Sequence, residues 1–459
     1  MVRDNPDPVD VDAIRTNVRT FLPGVIQDLT ELIMVPSVAF PGYPPEPVLK
    51  MAEATADLLR RYGLPDARLL EIPGGYPSVT GSIPAPPGAP TVLFYAHYDV
   101  QPAHRKDGWK TDPWKAVIKD GRLYGRGSAD NKSGIVTIAA TIRALAGKYP
   151  VGIRVIIEGE EETASHLEAF VKTHPELLWC DVFIITDMGK MVAGEPVLST
   201  TLRGEVSCCV AVRTLEQAVH SGIFGGPAPD ALVALIRILD TLHDRQGDVA
   251  VAGLSSYTWS GREYPEDLYR RLSGLLEGVD AIGSGTISSR LWSKPSVTVI
   301  GIDAPAVRDA ANILIPQARA RISMRIAPGA DPEKEIGLLA DHLRAAAPWH
   351  VQVEISDIHC SSGFICPTAG PGYTAAMTVM EAVYRHPVRE TGGGGSIPLM
   401  NVLKHAVPEA EFILWGCEDN ERSRIHGPDE SVAIDELERM IVTQTLLLQV
   451  LGNRTSPIH

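Results

Sequence analysis

Val92-Leu93-Phe94-Tyr95-Ala96-His97-Tyr98-Asp99-Val100 is the stretch from which the rest of the chain can be read. Five consecutive apolar residues bounded by polar turn signals predict a strand buried on both faces, as in an α/β sheet. A histidine closes the run and an aspartate follows two positions later. Side chains at i and i+2 of an extended chain point the same way. His97 can therefore offer one ring nitrogen to a metal while Asp99 holds the proton on the other, the usual carboxylate–imidazole support of a ligand.

Working outward, the same pattern recurs. Gly121–Gly134 is a glycine-rich turn that opens a helix predicted over Ile135–Leu145, and it places Asp130 at the helix start, where a carboxylate is stabilised. The turn lacks the spacing of a phosphate-binding loop. Val151–Glu158 predicts a second buried strand that runs into Glu158-Gly159-Glu160-Glu161-Glu162. Four carboxylates in five residues at a strand end repel one another unless a cation sits among them. Asp181–Thr186 predicts a third strand, ending at Asp187. Ligands of open α/β sheets bind beyond the carboxyl ends of strands. His97, Asp130, Glu161/Glu162 and Asp187 all fall there. Imidazole and carboxylate without cysteine suit Zn²⁺ or Mn²⁺ in a reactive site better than a structural zinc.

The chain has 459 residues, enough for two or three domains. A net charge of −14 argues against nucleic acid or an anionic membrane as the main partner. The six cysteines form no C-x-x-C pair and predict free thiols of a reducing, cytoplasmic protein. The first residues show no apolar signal core, and no apolar run is long enough to span a membrane. A helix is expected over residues 12–35, interrupted near Pro23, and another over residues 47–63. After about residue 200 long strands with two helices predict an inserted α+β domain, and helix–strand alternation resumes near residue 370.

The chain resembles the M20 family of di-metal peptidases, and within it the dipeptidase (carnosinase-like) branch. The motifs are His97-Tyr98-Asp99-Val100-Gln101-Pro102, Gly125–Gly134, Glu158–Ser165, Asp187, His220-Ser221-Gly222, Arg325, Gly392–Pro398 and His426-Gly427-Pro428-Asp429-Glu430. His97, Asp130, Glu162 and Asp187 follow one another at separations of 33, 32 and 25 residues. The resemblance implies an α/β fold: a mixed-sheet, three-layer α/β/α catalytic domain formed by residues 1–199 and 367–459, with an α+β lid and dimerisation domain at 200–366. It implies two divalent ions per chain, Zn²⁺ first, with Mn²⁺ or Co²⁺ as alternatives. Asp130 would bridge them, His97 and Asp187 would complete one site, and Glu162 and His426 the other. Glu161 would be the general base. In a homodimer, His220 from the partner's lid would stabilise the oxyanion. Arg325, Gly395 and Ser396 would hold the substrate's C-terminal carboxylate. Ala164 stands where the family pattern has glycine, and the run Gly392–Gly395 is longer than usual.

Metal-dependent hydrolysis of dipeptides or small peptides is therefore the function expected. An N-acyl-amino-acid amidohydrolase, or an amide hydrolase of a dedicated pathway, is the alternative on the same scaffold. Aspartate rather than glutamate at 187 favours the dipeptidase. A non-catalytic scaffold would not keep five ligands and a base.

Overall fold

The computed structural model describes residues 10–395 and 399–453. The chain divides into two compact units: Met1–Thr200, Cys366–Thr391 and Val402–His459 form the first, and Thr201–Ile365 with Gly392–Asn401 the second. The resemblance implies boundaries at 199/200 and 366/367. The segment Gly392–Asn401, placed with the catalytic part on that basis, groups with the second unit instead.

The first unit is built on a six-stranded mixed sheet. Its order is Arg68–Leu70, Ser78–Ile83, Gly152–Glu158, Thr91–His97, Val182–Ile185 and Glu411–Leu414. The last four are parallel, and Ser78–Ile83 and Arg68–Leu70 finish one edge antiparallel. Val92 through Ala96 are at most 1% exposed, as the unbroken apolar run requires. Parallel register pairs His97 with Glu158 and Tyr95 with Ile185. All four parallel strands therefore open their carboxyl ends on one edge of the sheet.

Helices Val11–Ile33, Lys132–Ala144 and Ile434–Gly452 pack against one another, and Lys132–Ala144 also packs on the His97 strand. The predicted break at Pro23 does not occur: one helix runs from Val11 to Ile33 with Pro23 inside it. An interior proline costs about 3 kcal/mol. Val18, Phe21, Val25, Leu29 and Leu32 are buried on the same helix, and at about 1.5–3 kcal/mol per side chain they outweigh it. Asp10 caps the start by accepting from the backbone N–H groups of Asp12 and Ala13, both at 3.0 Å.

The second unit contains a four-stranded antiparallel sheet ordered Ser296–Asp303, Gln317–Ile326, Gly204–Arg213 and Gln352–Ser361. Helices Ala231–Asp240 and Pro332–Ala345 cover one face, with Val206, Val210, Leu235, Ile322 and Leu339 at the core. Alternation along Gln317–Ile326 is regular, with every second residue buried. The edge strand Ser296–Asp303 carries exposed Val299, Ile300 and Ile302.

Candidate metal centre

Of the parallel strands of the first unit, Thr91–His97 ends in a group able to bind a cation, and others lead into loops that carry such groups. His97 is the last residue of its strand and is fully buried. Its Nδ1 lies 3.1 Å from the backbone carbonyl of Asp99, which holds the ring proton there. Nε2 is thereby left as a lone-pair donor. It faces Asp130 Oδ1 at 3.0 Å and Asp187 Oδ1 at 3.5 Å. Burial opposes charging of this imidazole, yet Asp187 and Asp130 carry it well above its ordinary value.

Asp130 enters on the turn before helix Lys132–Ala144, through a cis Asp130–Asn131 peptide. Its two oxygens diverge: Oδ1 faces His97, and Oδ2 is 3.0 Å from His426 Nε2. Glu162 Oε2 lies 3.2 Å from the same His426 nitrogen and accepts from Gln101 Nε2 at 2.7 Å. His426 has φ +62, a left-handed conformation uncommon outside glycine, held in a loop that turns back on itself through Gly427 N to Arg424 O. Two groups of ligand atoms result, each confined within 4.8 Å: His97, Asp130 and Asp187, and Asp130, Glu162 and His426.

Asp99 stands beside the ring nitrogen that the i, i+2 spacing predicts and has further partners besides. Its carboxylate stands 3.3 Å from His97 Nδ1, but it also accepts from the backbone N–H groups of Glu161 and Glu162 at 3.1 and 3.0 Å. It pins the acidic turn to the end of the neighbouring strand. Gly159 starts that turn, and a Cβ there would fall 2.2 Å from the Tyr98 hydroxyl. Glu161 belongs to neither ligand group, although its backbone is anchored beside both.

Two residues of the centre carry no role in the sequence argument. Glu418, just beyond the Glu411–Leu414 strand, is buried, and burial together with Asp130 and Asp187 pushes its carboxyl well above the usual range. Its signal was a carboxylate just beyond a strand end, the pattern that marks the others. Glu430 is fully buried and holds the Asp130 turn. It accepts from Arg126 Nη1 at 2.6 Å and from the backbone N–H groups of Gly127, Ala129 and Asp130 at 3.0, 2.9 and 3.1 Å.

The donor set fits divalent cations. Burial pushes Glu161 and Glu162 up, and neighbouring carboxylates push them further. Asp130 is lowered against its burial by His426 and His97, and His426 is raised to about 10 by Asp130 and Glu162. Imidazoles and carboxylates crowded this way are groups whose mutual strain a shared cation relieves.

The remaining predicted residues that the structure describes lie on the second unit. His220 closes a two-residue strand, and its Nδ1 accepts from Gly222 N at 3.0 Å. Arg325, on strand Gln317–Ile326, pairs with Glu205 at 3.0 Å. Gly395 is exposed, and Ser396 lies outside the described residues. All six cysteines are free, and among the described residues no helix is long and apolar enough to cross a membrane.

A parallel-stranded scaffold whose strand ends supply two cation-binding groups with one carboxylate in common is that of a metallohydrolase. The chain belongs to peptidase family M20/M25/M40, whose sequence profile matches residues 93–449. It is 36% identical over 372 residues to a cysteinylglycine-S-conjugate dipeptidase of Corynebacterium striatum, covering 79% of this chain and 82% of that one. It is 27% identical over 434 residues to a beta-Ala-His dipeptidase of Rattus norvegicus, covering 87% and 88%. The solved structure of the dipeptidase Dug1p from Saccharomyces cerevisiae superposes with a TM-score of 0.81 at 23% identity, covering 97% of this chain and 99% of that one. The human carnosine dipeptidase 1 structure also gives 0.81, at 23% identity and with 98% and 100% covered.

Proposed function

We propose that the chain is a metal-dependent dipeptidase that hydrolyses the amide bond of dipeptides or small peptides with a free α-amine. The observation that carries this is the divergence of the Asp130 oxygens toward two ligand groups, with Glu161 anchored beside both and belonging to neither. The dipeptidases of C. striatum and R. norvegicus support the substrate class. Two divalent ions held by these residues, zinc first and manganese or cobalt as alternatives, would polarise the scissile carbonyl and acidify a water. His97 and Asp187 would hold one, Glu162 and His426 the other, and Asp130 both.

The chain's own residues supply the remaining steps. The Glu161 carboxylate takes the proton of the attacking water and passes it to the departing amine nitrogen. Its raised proton affinity suits the first half of that transfer. Asp99 fixes the backbone of Glu161 and Glu162 and so sets the distance between base and ligand. In a neutral His220, Nδ1 is occupied as an acceptor, so the ring proton sits on Nε2. That N–H is the donor for a tetrahedral oxyanion. Arg325, through donors that Glu205 does not take, with Gly395 and Ser396, would hold the C-terminal carboxylate.

The assembly proposed is a homodimer joined through the second unit, with His220 acting across it, in the cytoplasm. The exposed apolar edge Val299, Ile300 and Ile302 supports such pairing. A substrate panel tests the function: dipeptides, their N-acetylated forms and N-acyl amino acids, with Zn²⁺, Mn²⁺ and Co²⁺ supplied separately. Dipeptides should be cleaved, N-acetylation should abolish cleavage, and a chelator should stop it reversibly. Preferred cleavage of the N-acylated series would replace the dipeptidase by an amidohydrolase.

A further inference from the structure

Arg203 is a buried cation without a counter-ion. It follows strand Val197–Leu202 and is 9% exposed. Its Nη1 donates to Ser296 Oγ at 3.0 Å, and its backbone N–H donates to Gly393 O at 3.2 Å. Its buried Nε has no partner. Among the described residues no carboxylate pairs with it. Burial, and after it the like charge of Arg325, lower the guanidinium to about 10. The two arginines are treated differently by the fold. Arg325 is neutralised by Glu205 at 3.0 Å, whose other oxygen accepts from Ser323 Oγ at 2.8 Å. Arg203 has a serine in place of an acid.

Arg203 also lines a cavity of about 310 Å³ in the second unit, together with Arg290, Lys294, Ser296, Thr298 and Asp248. Asp248 is the one carboxylate on that wall, and it is already bonded: Lys294 Nζ at 3.3 Å and Ser284 N at 2.9 Å donate to it. The wall is therefore net positive. Across the guanidinium the glycine run comes close, since a Cβ at Gly394 would lie 3.7 Å from Nη2. At Gly392 a Cβ would strike Trp292 at 2.5 Å, so this backbone approaches in a way no other residue permits. A guanidinium offers carboxylates and phosphates a planar two-nitrogen edge. Ser296 takes the Nη1 end and leaves the Nε edge.

We infer that Arg203 and the cavity beside it form a binding site for a small oxyanion, a carboxylate or phosphate group. A buried charge left unpaired is destabilising, and an anion there removes the penalty. The inference does not rest on the hydrolase reading, because binding is measured without turnover. The anion has two possible sources, a free anion of the solution or the carboxylate end of a peptide.

The test is thermal unfolding of the full-length protein, wild type and Arg203→Met, in a buffer free of oxyanions. Inorganic phosphate or acetate is then titrated in, with sodium chloride as the control for ionic strength. Wild type should gain stability saturably with phosphate or acetate, beyond the chloride control. Arg203→Met should start at the same or a higher Tm and show no such gain. Arg203→Lys, which keeps the charge but loses the planar edge, should need severalfold more anion. Competition of the same anion with peptide in wild-type kinetics assigns the site to the peptide carboxylate. Stabilisation without competition assigns it to a free anion, and either result supports the site. The inference is overturned if wild type shows no gain beyond chloride or if Arg203→Met retains it. A lower starting Tm or a failure of Arg203→Met to fold also overturns it, because Arg203 would then be structural.

Discussion

The first unit buries two clusters of charged side chains, and they are balanced in opposite ways. Around Glu436 every negative charge is answered. Its carboxylate accepts from Lys190 Nζ at 2.5 Å, Tyr384 Oη at 2.9 Å, Arg439 Nη1 at 2.7 Å and the backbone N–H of Gly194 at 2.7 Å. In the same unit, Arg122 meets Asp419 at 2.7 Å and is bonded to Ser423 and Ser431 as well. At the strand ends around Asp130, carboxylates outnumber cations, and burial and mutual repulsion drive Glu161, Glu162 and Glu418 upward. A protein gains nothing in stability from the second arrangement. Paired charges hold the fold together. Unpaired charges of one sign mark where a ligand of the other sign belongs, and Arg203 is the same rule with the sign reversed.

Breaking the unbalanced cluster should cost activity and not folding. The largest effect is expected at Asp130. Asp130→Ala should bind neither ion and fall to background activity while remaining folded. Metal analysis and calorimetry check both halves, and one tight ion remaining in Asp130→Ala would show that the two groups do not share it. Glu161→Gln comes next. It should keep both ions and lose about 10²–10⁴-fold in kcat, the range for a missing general base. Loss of metal from Glu161→Gln but not from Glu162→Gln would reverse the two roles.

The oxyanion donor should matter somewhat less. His220→Ala is expected to lower kcat by about 10²–10³-fold without changing metal content. Mixing His220→Ala subunits with Glu161→Gln subunits should restore activity, because one site of the mixed dimer then has both groups. Absence of recovery despite proven subunit exchange would confine His220 to its own subunit or remove it from catalysis.

The strand-end cluster was legible because it sits on regular structure. A buried strand announces itself by an apolar run, and a ligand at its end is read as the first polar residue after it. His97, Asp187 and the acidic turn after Glu158 are found this way. Asp130 is read from its helix start. His426, His220 and Arg325 lie on loops or on a strand of the inserted unit, so local pattern does not single them out, and they entered through resemblance. Glu418 obeys the strand-end rule and still went unassigned, because Cys417 and Gly416 make its approach look like an ordinary turn. Glu430 could not be read at all. It acts on the backbone of residues 127–130, some 300 positions away, and only folding makes that contact. The break expected at Pro23 fails because a local penalty is outweighed by the helix's buried face, which single-residue pattern does not weigh.

The balanced cluster gives the control, with the smallest effect on turnover and a definite pH signature. Glu436 is completely buried, which alone would raise its carboxyl, but Lys190 and Arg439 win and hold it below its ordinary value of 4.5. Between the two values the unfolded chain binds a proton that the folded one does not. The pairing therefore contributes its full stability above about pH 4.5 and loses it as pH falls through the folded value. Glu436→Gln leaves Lys190 buried beside a neutral amide, so it should cost about 3–5 kcal/mol near neutral pH. Its kcat per folded molecule should match wild type. On acidification the difference should shrink, because protonation does to wild type what the substitution has already done. Urea unfolding of both proteins at neutral pH and below about pH 4 measures the gap. A gap that stays constant with pH would mean that Glu436 is not held below its ordinary value. A loss of kcat in Glu436→Gln would mean that the two clusters are coupled and that the separation of folding charges from working charges is too sharp.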